Sequence, residues 1–182
     1  MSQIWVSSDT HFCHNQPFLY EPRGFSNIYE HDEKVILNWN TTVDPDDTAY
    51  LLGDIMLNDD ERGLKCLSRL NGNIHLILGN HDSARRIEAY DKVPNIVSIQ
   101  YSTVIKHNNQ VIYLSHYPAL CGNYDDDKPL KAKVINLCGH SHTKDKFQDM
   151  DKGIIYHCEL DAHNCYPVLL DNAIEDIRRF LK

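Results

Sequence analysis

Short apolar runs, each stopped by the same kind of polar punctuation, constrain this chain more than any other feature. Ile4-Trp5-Val6-Ser7 stops at Ser8-Asp9, Ala49-Tyr50-Leu51-Leu52 at Gly53-Asp54, and Ile74-His75-Leu76-Ile77-Leu78 at Gly79-Asn80. Val111-Ile112-Tyr113-Leu114 stops at Ser115-His116, and Val134-Ile135-Asn136-Leu137-Cys138 at Gly139-His140. Runs of this length bounded by turn residues predict buried strands. Helical patterns lie between the early ones: Val35, Ile36, Trp39 and Val43 share a face over residues 32–43, and Leu64, Leu67 and Leu70 over residues 59–70. A last helix is predicted from Asn172, with Glu175 completing a capping box and Ile174, Ile177 and Leu181 on its apolar face. Asn108-Asn109, between two apolar runs, predicts a hairpin turn. Alternation early and hairpin pairing late give an α/β class with a mixed sheet. With no repeat and no linker, one domain over residues 1–182 is expected.

Composition narrows the class of activity. Apolar content of 42% and charged content of 24% are those of a globular protein and exclude collagen, coiled coil and wholesale disorder. The first residues show no basic leader and no apolar run reaches bilayer length, so a cytoplasmic protein without a membrane partner is expected. The formal charge of −8, from 26 acids against 18 bases, argues against nucleic acid as partner, because no basic surface is visible. Six cysteines without a CxxC pair read as reduced, buried thiols, and Cys13 falls close to the candidate site.

The polar residues at the strand ends carry the chemistry. Asp9 and His11, Asp54, Asn80 and His81, His116, and His140 and His142 each follow one apolar run. Loops at the carboxyl ends of strands converge on one edge of an α/β sheet, which is where such folds bind ligands. Imidazole, carboxylate and amide donors together suit Mn²⁺, Fe, Zn²⁺, Co²⁺ or Ni²⁺ better than Ca²⁺ or an all-thiolate site.

In order, Asp9-Thr10-His11, Gly53-Asp54, Gly79-Asn80-His81-Asp82, Ser115-His116 and Gly139-His140-Ser141-His142 resemble the motif series of the calcineurin-like metallophosphoesterases. The segments Ile36-Leu37-Asn38-Trp39-Asn40 and Val43-Asp44-Pro45-Asp46-Asp47-Thr48 are similar to a small bacterial branch of predicted phosphoesterases. The resemblance implies a four-layer αββα sandwich with two mixed β-sheets. It implies two divalent metal ions, one held by Asp9, His11 and His142, the other by Asn80, His116 and His140, with Asp54 bridging. His81 would act on the leaving group, and a metal-bound hydroxide would attack a phosphomonoester or phosphodiester, with a small molecule as substrate. Many relatives place an aspartate three residues after the bridging one to orient that histidine; here the position is Leu57. Asp82, read as structural, or a backbone carbonyl would have to replace it.

Other residues are weighed by position. His14 follows His11 in the first loop and is a candidate for substrate contact. Residues 12–31 make a long connection of the kind that forms lids, and Arg23 within it is a candidate phosphate fork. Arg85 and Arg86 are weaker candidates, Asp161, His163 and Asn164 read as a supporting loop, and Asp125-Asp126-Asp127 as a solvated one. The rival readings are a nuclease of the same chemistry and a scaffold that binds metal without catalysis.

Overall fold

The computed structural model describes residues 2–122, 127–148, 150 and 153–182. Asp125 and Asp126 of the acidic run lie outside the described residues.

The first sheet is built by strand–helix–strand repetition. Strands β1 (Ile4–Ser7), β2 (Thr48–Leu51), β3 (Asn73–Ile77) and β4 (Ile96–Gln100) pair in parallel as neighbours. The connections run through α1 (Pro17–Tyr20) and α2 (Ile28–Asn40), then α3 (Asp60–Leu67), then α4 (Ala84–Tyr90). The second sheet begins with the hairpin β5 (Ser102–His107) and β6 (Gln110–Ser115), to which β7 (Val134–Cys138) and β8 (Ile155–His157) add in parallel. Strand β9 (Val168–Leu169) returns to β1 antiparallel, so the sheet orders are β4-β3-β2-β1-β9 and β5-β6-β7-β8. Both sheets are mixed, and the α/β class and paired mixed sheets expected above are what the chain adopts.

Strand periodicity divides the core. Ala49 and Leu51 of β2 face Val35, Ile36 and Trp39 of α2 and Leu67 of α3, whereas Tyr50 and the following Leu52 join the cluster with Ile112, Leu114, Ile135 and Leu137 of the second sheet. Successive side chains point to opposite faces, so a strand buried on both faces reads as one continuous apolar run.

Two helix expectations need correction. Helix α5 (Leu170–Phe180) begins before Asn172; Leu169 caps it without a side-chain bond, so the Asn172–Glu175 capping box is not the start signal. Burial of Leu170, Ala173, Ile174 and Ile177 at 2% exposure or less sets its phase, whereas Leu181 lies beyond the last turn and is 49% exposed. Helix α2 starts at Ile28, where the Asn27 side chain accepts from the Tyr29 and Glu30 amides. The expected lid, residues 12–31, therefore contains α1 and the first turn of α2, held by a cluster of Leu19, Tyr20 and Ile28.

Among the described residues no helix is long and apolar enough to cross a membrane.

Candidate metal centre

The carboxyl ends of β1, β2, β3, β6 and β7 meet, and the residues following them meet there too. The backbone turns sharply to achieve this. Asp9, His11, Asp54, His140 and His142 all have φ between 46° and 77°, the left-handed region that costs an L-residue roughly 1–2 kcal/mol. Such conformations persist only where the surroundings over-determine them, and they gather at functional sites. Gly139 and Gly79 allow the close approach: a Cβ on Gly139 would overlap Ser8 Oγ and Asp9 Oδ2, and one on Gly79 would overlap Asp54 Oδ1.

Two groups of donors result, Asp9, His11 and His142, and Asp54, His116 and His140. In the first, His11 Nε2 is 3.1 Å from His142 Nε2, and both lie 3.7 Å from Asp9 Oδ1. In the second, His116 Nε2 is 3.2 Å from His140 Nδ1 and 3.0 Å from Asn80 Oδ1. Asp54 Oδ2 stands 3.6 Å from both His11 Nε2 and His116 Nε2, and so joins the groups. Donors around one ion at about 2.0–2.2 Å are themselves about 3.0–3.5 Å apart, which is close to the spacing of these side chains.

Each carboxylate spends one oxygen on the scaffold and turns the other to the centre. Asp9 Oδ2 accepts from Ser8 Oγ and the His140 amide, while Asp9 Oδ1 is buried with no hydrogen-bond partner among the described residues. Asp54 Oδ1 accepts from the His81 amide at 2.9 Å, leaving Oδ2 inward. Burial by itself would raise the Asp9 carboxyl, but the nearby His11, with His142 and His116, holds it down at about 2. A buried carboxylate kept ionised with a free oxygen is a fitting ligand for a cation.

The histidines are oriented from behind. His116 Nδ1 donates to the Leu52 carbonyl at 2.8 Å, which turns the Nε2 lone pair inward. His142 Nδ1 bonds Asp161 Oδ2 at 3.0 Å. Burial pushes the His142 ring down, but Asp161 and Asp9 outweigh it and the net shift is upward. Burial lowers His11 on balance.

No family model matches the chain. An uncharacterized protein of Methanocaldococcus jannaschii is 43% identical over 147 residues, covering 75% of this chain and 81% of its own. The solved structure of a protein of unknown function from Aquifex aeolicus superposes with a TM-score of 0.74 at 22% identity, covering 97% of this chain and all of that one. A novel archaeal phosphodiesterase shares the fold with a TM-score of 0.52 at 20% identity, over 88% of this chain and 86% of its own. The identity and coverage of the Methanocaldococcus protein decide kinship, and the paired mixed sheets decide the fold. The chain belongs to one family with the Methanocaldococcus protein, and its fold is metallophosphoesterase-like.

At this site, His81 is set apart from the candidate donors. Its ring is 42% exposed, with Nε2 3.8 Å from Asp54 Oδ2, and the ring hydrogen-bonds no described residue. Asp82 does not orient it: that carboxylate accepts from the Asp54, Ile55 and Gly79 amides and from Tyr90 Oη. Asp82 is structural, as its position suggested. His14 lines a cavity with His11, His81 and His142, its ring 5.2 Å from that of His11.

Arg23 is a correction. Its side chain is 1% exposed and forks onto Asp161 at 3.0 and 2.7 Å, while its remaining donors reach His31 Nε2 and the Asp9 carbonyl. A buried guanidinium whose three nitrogens all bond protein groups is no phosphate fork, so Arg23 supports the site from behind through Asp161 and the Asp9 loop. Arg86 is likewise committed, to the His81 carbonyl and Asp60. The Cys13 thiol lies apart from the donors, grouped with Asp32 and Cys66, and all six cysteines are free.

Sequence reading gave Asp161 a supporting place without its partner, and missed Glu159. Glu159 is fully buried, and its Oε1 accepts from His157 Nδ1 and from the Ser141 amide between His140 and His142. The signal was faint: an acid two residues beyond a strand, in a Cys158-Glu159-Leu160-Asp161 stretch without turn glycines.

Proposed function

We propose that this chain is a dinuclear metal-dependent phosphoester hydrolase that acts on small phosphomonoesters or phosphodiesters. The observation that carries the reading is Asp54 Oδ2, equidistant at 3.6 Å from a histidine of each donor group, the position of a shared ligand. Asp9, His11 and His142 would hold one ion and Asn80, His116 and His140 the other, with Asp54 common to both. Divalent ions there would supply Lewis acidity to phosphoryl oxygens and to water.

The chain's own residues do the rest. Asp9 and Asp54 bring the negative charge that would hold cations in place, and their scaffold-bound oxygens fix the aim of the inward ones. Asp161 and the Leu52 carbonyl hold His142 and His116 in the tautomers that present Nε2. His81, exposed at the cavity edge, hands a proton to the departing oxygen. A net charge of −8 supports a small substrate over duplex nucleic acid, since tight duplex binding draws on counterions displaced by a basic surface.

Asp54→Asn tests the reading. Loss of both ions by elemental analysis, together with loss of phosphoester hydrolysis, is expected, whereas His11→Ala should lower the content of one ion more than the other. An inactive Asp54→Asn that retains two ions would refute the shared-ligand assignment. Full activity in metal-stripped wild-type protein would refute the hydrolytic mechanism itself.

A further inference from the structure

The cavity beside the first donor group has a wall that the proposed chemistry leaves unused. It encloses about 540 Å³, within the roughly 300–1,000 Å³ of small-molecule sites, and His11, His81 and His142 form its inner side. Phe18, Leu19 and Pro22, from α1 and the turn after it, form an apolar outer side. Phe18 is 70% exposed, whereas its neighbour Leu19 is 4% exposed. A ring standing in water at the mouth of a site forgoes burial that a bound ligand would restore. The ring of His14 meets Phe18 edge-on, with centroids 5.5 Å apart, and so links it to His11 5.2 Å further in.

Cationic groups are sparse on this wall. Lys144 is the one lysine or arginine among its described lining residues, and nearby Arg23 is spent on Asp161. A polyphosphate arm would find few partners here. A flat apolar body would find an aromatic shelf, a proline and a leucine.

From this juxtaposition we infer that the Phe18–Leu19–Pro22 wall receives the alcohol arm of the phosphoester, and that this arm carries a planar aromatic ring. The inference rests on the hydrolase reading, because His81 lines the same cavity and so decides which arm faces the wall. Phe18 is thereby a specificity residue that touches the departing arm and not the reacting atoms.

Phe18→Ala and Phe18→Trp test it, and the exposure of the position lets both fold. One readout is kcat/KM for naphthyl phosphate and for ethyl phosphate with Mn²⁺-loaded protein. The other is calorimetric binding of naphthylmethylphosphonate and methylphosphonate, which are not hydrolysed. Comparing ratios between proteins cancels the intrinsic reactivity of the esters. Phe18→Ala should lower the naphthyl-to-ethyl ratio about tenfold and the phosphonate preference equally, and Phe18→Trp should restore both. Ratios unchanged by Phe18→Ala in turnover and in binding overturn the inference. Phe18-dependent binding of naphthylmethylphosphonate without hydrolysis of either ester keeps the aromatic wall and removes the hydrolase reading. Turnover without aromatic preference does the reverse.

Discussion

Arg23 and His81 show how far a side chain's surroundings decide its role. Arg23 sits between Pro22 and Gly24, a context that suggests an exposed loop cation, yet its guanidinium is buried against Asp161. Arg23→Ala would leave that buried carboxylate with the His142 bond but without its guanidinium, a loss of up to about 3 kcal/mol. Urea unfolding of metal-free protein measures it, and Arg23→Lys should recover only part, because an ammonium cannot fork across both oxygens. Stability unchanged by Arg23→Ala would mean that water replaces the guanidinium. His81 is the converse case, a ring at the surface without an orienting partner among the described residues, as Leu57 in place of the usual aspartate suggests. His81→Ala should keep the bound ions and lose ~10²-fold in kcat on alkyl phosphoesters, which depart as basic alkoxides. Nitrophenyl esters should lose less, since nitrophenolate needs little protonation. Equal losses on both would assign His81 to phosphate binding. In sequence, the donors were legible because each follows a strand; the partners behind them were not, because Arg23 and Asp161 are 138 residues apart.

At the level of elements, turn chemistry and burial compete to set boundaries. The β5–β6 hairpin follows its turn: Asn108 and Asn109 have φ of 48° and 63°, as a two-residue turn matching the strand twist requires. Asn108 also bonds Asp171 at the start of α5, so Asn109 is the cleaner probe. Asn109→Gly should stabilise the protein by about 0.5 kcal/mol and Asn109→Ala destabilise it by about 1 kcal/mol. Thermal melts of the two variants should therefore shift in opposite directions, and shifts of the same sign would exclude the left-handed geometry. Helix α5 follows burial instead. The Asn172–Glu175 pattern predicts a start that the docking of Leu170 onto the inter-sheet core overrides. Local capping is worth about 1 kcal/mol and burial of one leucine about 1.5–3 kcal/mol, so burial sets the boundary.

Across the whole molecule, two sheets bring five strand ends to one place, and the loops from β8 to β9 brace them from beneath. His163 lies in that brace, its Nε2 donating to the His157 carbonyl at 2.8 Å. Burial depresses its ring to about 4, well below the ordinary 6.5. As pH falls the unfolded chain therefore takes up this proton first: the stabilisation is whole above pH 6.5 and is lost on descending toward pH 4. Unfolding free energies of metal-free protein across that window should fall more steeply for wild type than for His163→Gln, whose amide can still reach the carbonyl. Parallel pH profiles would show that the ring is not held neutral. The sequence by itself determined the strands and the α/β class and marked the candidate donors, because apolar runs and the polar residues that stop them are local and each strand end carries its own signal. Only the tertiary structure decided that Arg23 faces inward to Asp161, that Glu159 holds the Ser141 amide, and that Phe18 faces the cavity. Those facts depend on which strand lies beside which and on the angle at which the two sheets pack, and long-range packing of that kind leaves no periodicity in the chain.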